Sequence, residues 1–249
     1  MGIEPMKIRT LSVALVALAA ASAVVMAQDP QQMATLGAPS SNVAWTPETI
    51  KLLQTANPAN GATLHEELLC SSCHGEAGIA RSGNWPNLAG QMPGYIYKSL
   101  RDYHDWERST EEGGALMGYL VEELTDQDMA DLASWYASQP SAGPVVAEVT
   151  AAEQDIGERL HWLGDPDRMI QPCSACHGDK GKGTFPDYPS LLGQTPDYTA
   201  LQLNLYKSGA RHSDVYSRMR LLSAELTEIE IDALAKYYAS LGQTGVPQQ

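Results

Sequence analysis

Cys70-Ser71-Ser72-Cys73-His74 and Cys173-Ser174-Ala175-Cys176-His177 are two copies of one pentapeptide, and together they use all four cysteines of the 249-residue chain. A glycine follows each, Gly75 and Gly178. The Cys-X-X-Cys-His spacing is that of covalent haem attachment. Two thiols bond to the two vinyl groups of one porphyrin, and the histidine after the second thiol is held under the ring as an iron ligand. The motifs therefore predict two covalently bound c-type haems, one on Cys70 and Cys73 with His74 as proximal ligand, the other on Cys173 and Cys176 with His177. Other uses of the pairs fit less well. A four-sulfur zinc shell leaves the two histidines unexplained. A thioredoxin-like redox pair belongs beside a βαβ pattern, which is missing here. Two local disulfides would staple nothing distant.

The chain has room for two small domains, matching two haems. Residues 1–27 read as a signal peptide: Lys7 and Arg9 give a basic start, Leu11 to Ala27 carries no charge, and Val25-Met26-Ala27 offers small residues before the polar Gln28-Asp29-Pro30. An uncleaved membrane anchor is the competing reading, but 17 alanine-rich residues fall short of a usual span. Without residues 1–27 the chain holds 14 basic and 29 acidic residues, a formal charge of −15. Such a charge repels nucleic acid and anionic lipid and favours partners with basic docking surfaces.

An internal repeat organises the remainder. At an offset of 103 residues Cys70 matches Cys173, Pro86 Pro189, Gly90 Gly193, Gln91 Gln194, Tyr95 Tyr198 and Tyr103 Tyr206. After the loss of one residue, Met117 matches Met219, Leu124 Leu226, Thr125 Thr227 and Tyr136 Tyr238. Thr125 with Asp128, Thr150 with Glu153 and Thr227 with Glu230 read as capping boxes. A closing helix follows in each half, over about 126–138 and 228–241, with core positions Met129, Leu132, Ala133, Tyr136 and Ile231, Leu234, Ala235, Tyr238. Pro93 and Pro196 mark two further helix starts, and Gly209 can end the second of these helices. No stretch alternates as a strand does, so the fold is all-α. The expected layout is a signal peptide (1–27), a flexible leader (28–47), domain 1 (48–140), a linker (141–149), domain 2 (150–243) and a tail (244–249).

The repeat also selects the second iron ligand. Met219 is the one methionine after Cys176, with His212 as competitor; in the first half Met92, Met117, Met129 and His104 all follow the motif. Met117 is the residue that matches Met219, and both lie seven residues before a leucine-threonine helix start. The histidine-to-methionine intervals agree, at 43 and 42 residues. Thioether sulfur favours ferrous iron, and a filled sixth position closes the metal to substrate, as an electron carrier requires. Pro86 and Pro189 each stand 12 residues after a ligand histidine, where a carbonyl could accept the imidazole's other N–H. A plain turn explains the same spacing equally well.

With these residues in hand, the chain resembles the cytochrome c4 family, exported two-haem proteins built of two class I cytochrome c domains. The likeness runs from about Asn60 to Gly242 and rests on Pro86-Asn87-Leu88-Ala89-Gly90-Gln91, Tyr188-Pro189-Ser190-Leu191-Leu192-Gly193-Gln194, Gly157-Glu158-Arg159-Leu160 and the aromatic endings at Trp135-Tyr136 and Tyr237-Tyr238. It implies that the helix before each haem motif crosses the last helix of its domain, with Gly61 or Gly157 allowing the approach. It also implies a periplasmic carrier passing electrons from a respiratory donor to a terminal oxidase or similar acceptor. A dedicated cytochrome subunit of a dehydrogenase is the second reading. An enzyme in its own right is the third, disfavoured by two filled irons. One departure stands out. Where the second half keeps Ser208-Gly209-Ala210-Arg211, the first has Asp105-Trp106-Glu107-Arg108. Asp102, Asp105, Glu107, Glu111, Glu112, Glu122 and Glu123 then make an acidic region around Met117 for a basic redox partner.

Overall fold

The computed structural model describes residues 2, 42–109, 113–141 and 148–241. Apart from residue 2, the signal segment 1–27, the leader up to 41, Glu111 and Glu112, most of the linker and the tail 244–249 lie outside the described residues.

The first half contains α1 (Pro47–Gln54), α2 (Pro58–Glu67), the single turn α3 (Ser71–His74), α4 (Pro93–His104), α5 (Gly114–Val121) and α6 (Asp126–Ser138). The second half contains α7 (Ala151–Trp162), the turn α8 (Ser174–His177), α9 (Pro196–Ser208), α10 (Arg218–Ala224) and α11 (Glu228–Leu241). Among the described residues there is no strand, only isolated bridges joining Asp165 to Ile170 and Thr184 to Tyr188. The all-α expectation holds, and both closing helices fall on the expected bounds.

Local chemistry starts and stops these helices. The boxes at Thr125–Asp128 and Thr150–Glu153 are formed in both directions. Thr227 and Glu230 do the same at the start of α11, with backbone-to-side-chain bonds of 2.9 and 3.3 Å. Each cap of this kind contributes about 1 kcal/mol. Proline opens α4 and α9, where a missing N–H costs nothing. The eight expected core residues of α6 and α11 are all buried.

Helix α2 crosses α6, and α7 crosses α11. The approach is close enough to exclude any side chain at the crossing. A Cβ on Gly61 would stand 2.2 Å from the Asp131 carbonyl oxygen, and one on Gly157 2.4 Å from the Tyr237 Cβ. Asp131 is buried at the same crossing, and its carboxylate is satisfied by the Asn57 backbone N–H (2.7 Å) and the Asn60 amide (2.8 Å).

The two halves pack through a reciprocal set of bonds. Gln91 donates to the Ser190 carbonyl (2.8 Å) and accepts from its N–H (2.7 Å). Gln194 does the same to Asn87, at 3.0 and 2.8 Å. A second contact is one-sided: buried Lys98 reaches Asp102 at 2.5 Å and the Ser213 carbonyl at 2.6 Å. Residues 42–46, expected in a flexible leader, are instead packed. Ala44 is fully buried, and Thr46 caps α1 by accepting from the Thr49 N–H at 3.1 Å.

Candidate haem sites

Each Cys-X-X-Cys-His folds into a single helical turn that carries its histidine inward. His74 and His177 are each only 7 % exposed. The Nδ1 of His74 lies 3.0 Å from the Pro86 carbonyl oxygen and that of His177 2.9 Å from the Pro189 oxygen. A carbonyl can only accept, so Nδ1 carries the proton and Nε2 keeps its lone pair for a metal. Burial lowers both imidazoles below the usual histidine range, against the opposing pull of these carbonyls, and so favours the neutral, ligating form. Of the two readings of Pro86 and Pro189, the geometry selects the hydrogen-bonding one.

The four thiols are not joined in disulfides. Burial raises the Cys70 and Cys173 thiols, while hydrogen bonding to Tyr136 and Tyr238 works the other way. Among the described residues no three histidine, cysteine, aspartate or glutamate side chains converge as a metal shell, so the motifs do not meet in a common four-sulfur site.

A cavity of about 310 Å³ runs between the halves, and Cys70, Cys73, His74, Met117, Cys173, Cys176, His177 and Met219 all line it. Leu88, Leu100, Leu124 and Leu132 supply its walls in the first half, and Leu191, Leu203, Leu226 and Leu234 in the second. These walls, two thiols and an inward lone pair per half fit a covalently held porphyrin. The competing candidates Met92, Met129, His104 and His212 are absent from the lining. Met129 is packed in the core, and His104 pairs with Asp105 at 2.8 Å near the surface.

The sequence reading missed a polar cluster in this cavity. Arg108 and Arg211, repeat mates at the same offset of 103, are both buried. Arg108 lies over the Tyr103 ring at 4.6 Å and donates to the Tyr198 hydroxyl (3.2 Å). Arg211 lies over the Tyr206 ring at 4.5 Å and donates to the Tyr95 hydroxyl (3.3 Å). Both arginines also bond Gln202, at 3.0 and 2.5 Å. Burial alone would raise the Tyr95 phenol, but Arg211 and Arg108 outweigh it and hold it below its usual range. The one signal in the sequence is their match at the repeat offset, which marks the pair but not its partners.

The acidic region needs correction. Asp102 is 1 % exposed and paired with Lys98, so it belongs to the interior. Asp105 is engaged by Arg101 at 2.9 Å and by His104. Glu122 and Glu123 are exposed and Glu107 is half-buried. The departure at Trp106 has a structural form. Its φ of 60° copies the left-handed Gly209 (φ 77°), and its ring packs against Gly118 and meets Tyr119 edge-on at 4.9 Å.

Residues 58–139 match the family described as Cytochrome c. The chain is 36 % identical to cytochrome c4 of Thiocapsa roseopersicina over 177 residues, 70 % of this chain and 88 % of that protein. It is 32 % identical to a thiosulfate dehydrogenase electron acceptor of Stutzerimonas stutzeri, over 76 % of this chain and 82 % of that one. The crystal structure of reduced recombinant cytochrome c4 from Pseudomonas stutzeri superposes with a TM-score of 0.67 at 29 % identity, covering 75 % of this chain and all of that one. With two buried, carbonyl-oriented histidines, two thiol pairs and an apolar cavity on the same repeat, the chain belongs to the cytochrome c4 family of electron-transfer proteins and carries two covalent c-type haems.

Proposed function

We propose that Met117 and Met219 complete the two iron shells opposite His74 and His177, giving two closed, histidine-methionine centres that exchange electrons and bind no substrate. The observation that carries the reading is that these two methionines line the cavity with the motif histidines while their competitors do not. When bound, the haem supplies a one-electron couple, which thioether ligation sets toward the ferrous state. The protein's part is to hold the ligands, exclude water and place charge. Carbonyls of Pro86 and Pro189 fix the imidazole planes. Arg108 and Arg211, buried in the lining of the cavity, would supply positive charge to the acidic groups of a bound porphyrin.

The ferric holoprotein should show two sulfur-to-iron charge-transfer bands in the red. Met117→Ala should remove one, and Met219→Ala the other. Retention of both bands in the Met117 variant would move the first ligand elsewhere.

In this reading the chain is exported, and works in the periplasm as a carrier between a respiratory donor and a terminal oxidase or similar acceptor. The surface that meets a partner is the outer side of α5, where Tyr119 is 69 % exposed beside Trp106, with Glu107, Glu122 and Glu123 around them. It suits a redox protein with a basic rim. A second reading has a specific motive, the relative named as the electron acceptor of a thiosulfate dehydrogenase. Rapid reduction by such a dehydrogenase, but not by quinol-oxidising membranes, would favour it.

A further inference from the structure

The short segment before α1 lies across both halves of the molecule. Asn42 donates to Asp102 (3.1 Å) and Asp105 (3.2 Å) of the first half. Ala44 is fully buried where the first half's Gly94 meets the second half's Pro186: a Cβ on Gly94 would stand 3.3 Å from the Ala44 Cβ and 2.0 Å from the Pro186 oxygen. Trp45 then faces the Arg218 guanidinium of the second half, 5.8 Å from its ring centre.

Arg218 immediately precedes Met219. Its guanidinium also lies 4.6 Å over the Tyr188 ring, and that ring packs edge-on against His177 at 6.4 Å. Arg218 donates to the Val215 carbonyl at 3.0 Å and pairs with Asp187, whose side chain is only 1 % exposed, at 3.3 Å. A single cation thus touches the supports of both candidate axial ligands of the second haem. The turn it braces is strained, because Tyr216 and Ser217 both hold left-handed φ values, 57° and 56°, a conformation that disfavours residues other than glycine. Among the described residues the first half shows no such brace. The repeat mates of Arg218, Asp187 and Tyr188 are Leu116, Asn84 and Trp85.

We propose that Asn42–Trp45 is a clasp. It seats Arg218 as a positioning residue for Met219 and His177, and so makes the ligand shell of the second haem stiffer than that of the first. The inference rests on the reading of Met219 as an iron ligand. For an outside ligand to replace Met219, the turn at 215–219 must swing away, which separates Arg218 from Trp45, Tyr188 and Asp187 together. At the first haem the matching movement breaks no ion pair of this kind among the described residues, Leu116 standing where the second half has Arg218.

The test uses ferric holoprotein mixed with imidazole, following loss of the red charge-transfer band. A Met117→Ala background isolates the band of the second haem, and a Met219→Ala background that of the first. In the former, Trp45→Ala and Arg218→Leu should each speed loss of the band by about tenfold, the size expected for a partly desolvated cation–aromatic contact. Trp45→Phe should restore most of the wild-type rate. Asn42→Ala, which loosens only the far end of the clasp, should give a smaller change in the same direction and covers the case in which Trp45→Ala does not fold. In the Met219→Ala background Trp45→Ala should leave the rate unchanged. Equal acceleration at both haems, or none at the second, would overturn the clasp. A Met219→Ala protein that kept both bands would overturn the ligand reading itself, and the clasp with it.

Discussion

At the residue scale, the chemistry of the site was visible in the chain because its groups are local. Cys70, Cys73 and His74 are placed by one helical turn, and the Nδ1 of His74 finds its partner close by, the Pro86 carbonyl at 3.0 Å from 12 residues away. Arg108 and Arg211 were not legible in the same way. Their role depends on Tyr198 and Tyr95 of the opposite half, which no spacing announces. Gly61 is the residue most exposed to test. Its missing Cβ leaves room for the Asp131 carbonyl, so Gly61→Ala must push α2 from α6 and should cost roughly 1–3 kcal/mol. Urea unfolding of the holoprotein should show the loss, while Thr63→Ala, on the exposed side of the same helix, should change little.

At the scale of elements, helix starts were readable because capping is chemistry within four residues. What the capping pattern did not reveal is the support one cap receives from a distance. Gly157 stands 16 residues before Cys173, whereas Gly61 stands nine before Cys70, and the extra loop in the second half carries Arg168. Arg168 grips the cap residue Glu230 with two bonds, of 2.5 and 3.0 Å. The Arg168 bond, with help from Thr227 and against some burial, pulls the Glu230 carboxyl from 4.5 down to about 2. The folded state therefore binds this proton less readily than the unfolded chain. Its stabilisation is present at neutral pH and drains away as pH falls from 4.5 toward about 2. Glu230→Gln should lower the thermal midpoint at pH 7 and flatten its fall across that acid interval. An unchanged acid profile would show that the Arg168 grip contributes no stability.

At the scale of the whole molecule, charge is divided unevenly. Residues 28–150 carry 5 basic and 16 acidic side chains, and residues 151–249 carry 9 and 13. Opposite charge speeds association and fades with salt, so electron transfer with a small basic redox protein should slow steeply as ionic strength rises. Reversing both Glu122 and Glu123 to lysine should flatten that dependence, since these carboxylates are exposed beside Tyr119. Asp102→Asn should not act in this way, because its carboxylate is spent on Lys98 inside the fold. An unaltered salt slope in the double reversal would remove the docking surface and leave the haem sites intact. By itself the sequence determined the two haem-attachment motifs, the closing helices and the repeat, all set by short-range chemistry or by matched spacing. Only the tertiary structure decided which acids are surface, how Gln91 and Gln194 tie the halves, and that Asn42–Trp45 is packed across both. Burial and pairing between residues some 60 to 170 positions apart are properties of the packed interface, and no local pattern encodes them.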